Sequence, residues 1–144
     1  YVDENGEEKE PIMIHRVIYG SLERMMSILI ENFAGAFPTW LAPVQVNILP
    51  VSPTAHIEYS TQLKERLESL KVRVELDNRE EKLGYRLRES SVNKIPYTLV
   101  IGDKEVENNQ VTYRVIGSSQ QIIVSVDEFI DLLMKEIDTK ALRK

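Results

Sequence analysis

The sequence predicts an α/β fold with a mixed, mainly parallel sheet flanked by helices, and three observations lead to that prediction. The run Tyr97–Ile101 is apolar and β-branched, too short for a helix, and bounded by Pro96 and Gly102, which is typical of a strand buried on both faces. The segments before it alternate between strand-like and helix-like patterns, and a β-α-β-α-β order implies parallel strands joined by right-handed crossovers. A hairpin signal at Asn108-Asn109 follows it and makes the sheet mixed.

Each element of this sheet domain has its own sequence pattern. The predicted strands are 44–49, 72–76, 97–101, 111–116 and 122–124, with a hairpin strand starting near Val106. One predicted helix starts at Ser52-Pro53, because proline favours the first helical position. A second covers 82–93 with Leu83 and Leu87 inward. A third opens with a capping box at 125–128 and precedes a basic, frayed end at 140–144.

A separate strand and helix are predicted before the sheet domain. Residues 11–14 form a short apolar run that favours a strand, and apolar residues then recur with helical spacing between Leu22 and Phe33. Ser21 is the expected N-cap and Gly35 the expected stop. A proline-bounded connector follows, so we divide the chain into residues 1–40 and 41–144. Because the sequence lacks an initiator Met, we expect it to be cut from a longer chain.

Composition narrows the function classes. The chain has 144 residues, a net charge of -5 and no cysteine, so it can form neither a disulfide nor a thiolate zinc site of its own. No apolar run approaches the roughly 20 residues that span a bilayer. Residues 79–94 nevertheless carry five Lys and Arg against three Glu, and a local basic patch is what contacts phosphates. The acidic total therefore does not exclude RNA.

Charged side chains follow the strands of the predicted sheet. They are Asp77 to Lys82 after one strand, Arg88 in the next helix, Asp103 to Glu105 after the central run, and Arg114 on the returning strand. Mixed charges of this kind suit unpaired bases splayed on a sheet surface. They are equally compatible with a solvated face of weak salt bridges. No nucleophile–His–acid set, Walker loop or GxGxxG motif is present, which argues against a self-sufficient enzyme.

A second candidate set lies at the start of the first helix. Arg24 is in its first turn, where the helix dipole favours anions, and Gly20-Ser21 permits close approach of a phosphate. A capped helix with a solvated Arg explains the same residues. His15 could bind zinc, but because the chain has no Cys and only His56 as a second histidine, we predict a buried, hydrogen-bonded histidine instead. His56 lies near a helix start and reads as a surface residue.

Four stretches of the chain resemble class II aminoacyl-tRNA synthetases of the threonyl-tRNA synthetase type. They are MIHRVIYGSLER at 13–24, FPTWLAPVQV at 37–46, YRLRE at 85–89 and GDKEVE at 102–107. The first resembles the third signature motif of class II synthetases, and the second resembles the link into the anticodon-binding domain. The resemblance covers nearly the whole chain. It implies that residues 1–40 are the last strand and helix of a catalytic domain and that 41–144 are an anticodon-binding domain.

The resemblance also implies roles for the residues of the first segment. Arg24 would be a catalytic residue that contacts ATP phosphate, with Gly20 and Ser21 under the adenylate. His15 would be one of three ligands of a catalytic zinc, whose other two ligands lie outside this chain. The full-length enzyme would use ATP with Mg²⁺ and one Zn²⁺ to ligate L-threonine to tRNA(Thr). No cofactor is expected in this chain alone.

For the anticodon, the resemblance implies contacts from five residues, namely Glu80, Lys82, Arg88, Glu105 and Arg114. Glu80 stands where the family often has Asn, and because a carboxylate cannot donate to a base carbonyl, Asn78 or Arg79 is an alternative donor. The implied partners are the tRNA(Thr) anticodon stem-loop and a second copy of the full-length cytoplasmic enzyme, with no membrane and no DNA. The competing hypothesis is a synthetase-like accessory or dimerisation module that does not bind RNA.

Overall fold

A computed structural model describes residues 1–142 of the chain. In this range it contains five helices and five strands: α1 (Leu22–Asn32), β1 (Val46–Pro50), α2 (Ile57–Ser69), β2 (Val74–Leu76), α3 (Leu83–Val92), β3 (Tyr97–Ile101), α4 (Asp103–Asn108), β4 (Gln110–Val115), β5 (Ile122–Ser125) and α5 (Val126–Asp138). The predicted frayed end extends to Arg143 and Lys144, which lie outside the described residues.

The strands form one mixed sheet with the order β2-β1-β3-β4-β5. β1 pairs in parallel with both β2 and β3, whereas β4 pairs antiparallel with β3 and with β5. The predicted α/β fold with a mixed sheet is therefore confirmed. β3 is its middle strand, and Leu99 and Ile101 within it are fully buried, as the apolar run predicts.

One face of the sheet holds the hydrophobic core. Side chains alternate between the two faces of a strand, and those of Ile48, Tyr97, Leu99 and Tyr113 pack with residues of α2 and α5. Phe129 of α5 is fully buried, and its ring lies 5.5 Å from the Tyr97 ring and 5.4 Å from the Tyr113 ring, measured between centroids. Burial of a large apolar side chain stabilises a fold by roughly 1.5–3 kcal/mol, so this face supplies most of the stability.

The opposite face combines apolar and polar contacts where α3 packs on it. Strand alternation places Leu49 of β1 on this face, and it is fully buried. Ser90 Oγ of α3 lies 2.7 Å from Thr98 Oγ1 of β3. Arg86, which is 1% exposed, donates to the carbonyl oxygens of Asp77 at 2.9 Å and Pro50 at 2.8 Å. The fully buried side chains of α3 are thus Arg86 and Ser90. Leu83 and Leu87 lie on the same face of the helix and are half-buried, so they point inward as predicted and share that face with a buried arginine and a serine.

Two boundaries differ from prediction because local hydrogen bonds override the sequence pattern. The hairpin strand expected near Val106 is instead the short helix α4, in which Glu105 accepts from the backbone N–H of Gly102. Asn109 then takes a left-handed φ of 52° and leads into β4. The helix predicted to start at Ser52 is α2, and it begins at Ile57 instead. Residues 52–56 form a turn that is closed by a hydrogen bond from the Ser52 N–H to His56 Nδ1.

No residue among the first 35 is buried. The helix α1 is confirmed, with Ser21 Oγ accepting from the Arg24 N–H at 3.2 Å and with Gly35 at a φ of 75°. The strand expected at 11–14 is not formed, since no strand among residues 1–142 lies beside it, and Ile12 is 91% exposed. A remnant of a catalytic domain at 1–40 and the division at residue 40 stay predictions.

Candidate nucleic-acid interface

The carboxylate of Glu105 is fixed between two hydrogen-bond donors. Glu105 is the third residue of α4, and its Oε2 accepts from the backbone N–H of Gly102 at 3.0 Å. Its Oε1 accepts from Thr112 Oγ1 of β4 at 2.6 Å. The two contacts hold the side chain against the polar face of the sheet while it stays partly exposed. A carboxylate held in this way is pre-organised to accept hydrogen bonds from a ligand.

The same contacts keep Glu105 ionised. Burial raises the pKa of the carboxyl group, but the hydrogen bonds from the Thr112 hydroxyl and the Gly102 N–H outweigh that effect and leave the pKa below its ordinary value. At neutral pH the group is therefore a pure acceptor with lone pairs left for a partner.

Arg114 lies on the same face of the sheet as Thr112. The two residues are two positions apart on β4, so their side chains project from one face about 7 Å apart along the strand. Arg114 is directly opposite Thr98 of β3. The Gln121 amide, oriented with its oxygen toward Arg114, accepts from Nε at 3.2 Å and from a terminal guanidinium nitrogen. The guanidinium keeps further donors for a ligand.

An exposed apolar side chain adjoins this pair. Ile123 of β5 is the register partner of Thr112 and is 61% exposed. Cross-strand partners share a face, so Ile123 lies beside Thr112 on the polar side of the sheet. Glu105, Thr112, Arg114, Gln121 and Ile123 form what we name the open-face cluster. It offers an acceptor, donors and a small apolar platform on which a base could lie.

Lys82 and Arg88 lie on the same side of the sheet as the open-face cluster but are not part of it. Lys82 precedes α3 and Arg88 is within it, and both are exposed. Arg88 is two positions after the buried Arg86, which on a helix is about 200° around the axis, so it points to solvent. The two cations therefore add positive charge to this side of the sheet.

The predicted positions of two site residues agree with the structure. Glu105 follows the carboxyl end of β3, and Arg114 lies on the returning strand β4, opposite Thr98 near the amino end of β3. The rim of the sheet is occupied by an internal cluster, in which Arg79 binds Asp77 at 2.8 Å and Glu89 at 2.5 Å.

This rim cluster agrees with the salt-bridge interpretation of the charges. The Arg79 guanidinium holds the pKa of the Asp77 carboxyl below its ordinary value. The hydrogen bonds to Asp77 and Glu89 in turn raise the pKa of Arg79. Arg79 is thus already engaged and is a poor alternative donor. Glu80 is exposed beside it, and nothing in the geometry gives it a role of its own.

The four candidate residues at and before the start of α1 are exposed. Gly20, Ser21 and Arg24 surround the start of α1, and His15 lies in a stretch without helix or strand, so the expectation of a buried histidine is wrong. No three side chains of His, Cys, Asp or Glu in residues 1–142 come close enough together to hold a metal ion. The roles of these four residues in zinc and ATP binding stay predictions.

Three residues of interest were not predicted. Thr112 orients Glu105 and could have been found from strand alternation, because it is two positions from Arg114. Gln121 depends on the β4–β5 register and carries no signal of its own in the sequence. His56 was expected at the surface, but it is 5% exposed and bonded to Asp103.

Comparison with known proteins identifies the class to which this fold and surface belong. Residues 45–136 match a family model described as "Anticodon binding domain". The chain belongs to that family.

Individual relatives are more specific. The chain is 54% identical over 142 residues to a threonine–tRNA ligase of Caldanaerobacter subterraneus subsp. tengcongensis, and 50% identical over 144 residues to one of Staphylococcus carnosus. These matches cover 99% and 100% of the chain. A crystal structure of the RNA binding domain of threonyl-tRNA synthetase from Cryptosporidium parvum Iowa II matches 81% of the chain and 29% of its own, with a TM-score of 0.75 and 29% identity.

These findings confirm the resemblance to threonyl-tRNA synthetases and its anticodon-binding fold. The chain spans 22% of the length of each of the two ligases. No helix in residues 1–142 is long and apolar enough to cross a membrane.

Proposed function

We propose that the chain recognises the anticodon of threonine tRNA through the open-face cluster, with Glu105 and Arg114 contacting bases and Lys82 and Arg88 contacting backbone phosphates. The observation that carries this proposal is that Glu105 and Arg114 have a common neighbour in Thr112. The Thr112 hydroxyl donates to Glu105, and Thr112 and Arg114 lie on the same face of β4. Family membership supports it.

The chemistry of the two residues suits this anticodon. Every threonine codon begins with adenine and cytosine, so every threonine anticodon has guanine in the middle and uracil third. Guanine presents two N–H donors on its Watson–Crick edge, which an ionised Glu105 can accept. Uracil presents carbonyl acceptors, which the guanidinium of Arg114 can contact. Ile123 offers apolar surface beneath an unstacked base.

The test is binding of the chain to an anticodon stem-loop RNA, followed by fluorescence anisotropy at fixed salt. We expect Glu105→Gln to weaken binding by about ten-fold or more, since hydrogen bonds to charged groups contribute roughly 1.5–3 kcal/mol. The corresponding change in the RNA replaces the middle guanine by inosine, which lacks the exocyclic amine. The loss of affinity caused by inosine should not add to the loss caused by Glu105→Gln, because both changes remove the same contact. Glu107→Gln is the matched control, because it removes the same charge from an exposed position of α4.

The basic residues give a second arm of the same experiment. Arg114→Ala should weaken binding, whereas Arg66→Ala should not, because Arg66 is an exposed arginine of α2 on the opposite side of the sheet, paired with Asp127. Equal losses in both variants would mean that net charge alone drives binding. Self-association in sedimentation without any RNA binding would instead favour the accessory-module hypothesis.

We further propose that the chain is part of a threonine–tRNA ligase, as its relatives are named. In that assignment Gly20, Ser21 and Arg24 contribute to the ATP site and His15 to the zinc site of a full-length enzyme, which completes both with residues outside this chain. The bound groups would supply phosphate activation and recognition of threonine. The full-length enzyme is proposed to be a cytoplasmic homodimer.

A further inference from the structure

The imidazole of His56 is buried between two partners. Its Nδ1 lies 3.1 Å from the backbone N of Ser52, and its Nε2 lies 2.9 Å from Asp103 Oδ1. The ring is almost fully buried, whereas the Asp103 side chain is 89% exposed. His56 thus joins the loop after β1 to the first residue of α4 across 47 positions of sequence.

The two contacts define the protonation state of the ring. The Ser52 N–H can only donate, so Nδ1 must accept and cannot carry a proton. The ring hydrogen is therefore on Nε2 and is donated to the Asp103 carboxylate. A neutral imidazole in this tautomer satisfies both partners without a buried charge.

The helix that receives this bond is the one that carries Glu105. α4 has only six residues, and its N-cap Gly102 has no side chain with which to cap it. A helix this short is not stable alone, so its orientation depends on outside contacts. His56 holds its first residue through Asp103, and Thr112 holds its third residue, Glu105. The two bonds fix α4 from opposite ends of its first turn.

We propose that His56, acting through Asp103, is a positioning residue that sets the angle at which Glu105 meets the middle anticodon base. This inference rests on the function proposed above and adds a determinant of base selectivity that does not itself touch RNA. Loss of the His56–Asp103 bond should leave Glu105 charged and still bonded to Thr112, but the first residue of α4 would no longer be held, so the helix and its carboxylate could tilt away from the acceptor geometry.

The variants isolate the hydrogen bond from folding and charge. Asp103→Ala removes the acceptor at an exposed position, so it should not unfold the chain. Asp103→Asn removes the charge but keeps an oxygen that can accept from Nε2–H. His56→Asn keeps an acceptor near Ser52 but cannot reach Asp103.

The readout is the ratio of affinities for two stem-loops that carry guanine or inosine at the middle anticodon position. We expect Asp103→Ala and His56→Asn to reduce this ratio by about five-fold, the effect of one ordinary hydrogen bond. Asp103→Asn should retain it. Combining Asp103→Ala with Glu105→Ala should reduce it no further than Glu105→Ala alone, because both changes act on one contact.

The outcomes separate this inference from the function on which it rests. A wild-type chain that prefers guanine and an Asp103→Ala chain with the same preference would overturn the role of His56 and leave the proposed function standing. Equal weakening toward both RNAs would also overturn it, since that indicates a structural effect only. A wild-type chain with no preference for guanine would overturn the proposed function itself.

Discussion

On one side of the sheet, α2 and α5 cover Tyr97, Leu99 and Tyr113 with apolar side chains such as Phe129. On the other side, α3 meets the same strands through hydroxyl groups and a buried arginine, and β4 and β5 leave Arg114 and Ile123 accessible. The face under α2 and α5, which we call the covered face, gains its stability from apolar area removed from water. The face on which α3 and the open-face cluster lie, which we call the open face, relies on directional hydrogen bonds and keeps polar groups available to a ligand.

Strand alternation separates the residues of the core from those of the proposed site. Neighbouring residues on β3 and β4 point to opposite faces, so Tyr113 lies in the core while Thr112 and Arg114 lie in the open-face cluster. Substitutions one position apart should therefore have different consequences. Changes on the covered face should reduce stability, and changes in the open-face cluster should reduce binding.

The largest effect is expected for Phe129→Ala. Phe129 is fully buried against two tyrosine rings, and truncation of such a residue destabilises a domain by about 3–5 kcal/mol. Urea unfolding measures the loss. The control is Tyr85→Ala in α3, where the ring is 55% exposed and the cost should be near 0.5 kcal/mol or less. Similar costs for the two variants would contradict the assignment of the core to the α5 side.

A smaller loss is expected for Arg86→Met. This substitution leaves the carbonyl oxygens of Asp77 and Pro50 without their donors, at a cost of about 2–4 kcal/mol in unfolding free energy. Arg88→Met, two positions away, should leave stability within about 0.5 kcal/mol of wild type and should instead weaken RNA binding at low salt. A neutral Arg86→Met would mean that the polar packing of α3 is dispensable.

The smallest effect is expected for Thr112→Val, which removes only the hydroxyl group that donates to Glu105. We expect a loss of about 1 kcal/mol at pH 7. Because the folded-state pKa of Glu105 lies below its ordinary value of 4.5, its contribution to stability is complete above that value and disappears as the pH falls through the folded-state pKa.

The pH dependence provides the check on that variant. In Thr112→Val the pKa of Glu105 should rise, so the advantage of wild type over the variant should shrink between pH 7 and pH 3. Titration of the Glu105 carboxyl carbon by NMR measures this directly. A Glu105 pKa that is the same in both proteins would show that the hydroxyl group does not orient the carboxylate.

The covered face could be predicted from sequence because burial leaves a periodic signal. The run at Tyr97–Ile101 and the capping box at Ser125 both identify their elements correctly. The open face could be predicted only in part. The family resemblance suggested Glu105 and Arg114 as site residues, but the bond from Thr112 to Glu105 and the β4 register that places Arg114 on the face of Thr112 are not revealed by the amino-acid pattern.

The burial of His56 and of Arg86, which the sequence did not predict, has one physical cause, namely side-chain hydrogen bonding to distant backbone or side-chain groups. His56 is buried because Ser52 and Asp103 satisfy both ring nitrogens, and Arg86 is buried because two strand ends offer carbonyls. Residues 11–14 do not form the predicted strand because hydrogen-bond partners are missing there. An apolar run becomes a strand only where a neighbouring strand supplies hydrogen bonds.

The decisive question is whether RNA contacts the open face or the covered one. Backbone amide chemical shifts, recorded by NMR while a threonine anticodon stem-loop is added, distinguish the two faces. We expect the largest changes at Glu105, Thr112, Arg114 and Ile123, with small changes at the exposed residues of α2 and α5. The largest changes on α2 and α5, with β4 and β5 unaffected, would contradict this expectation.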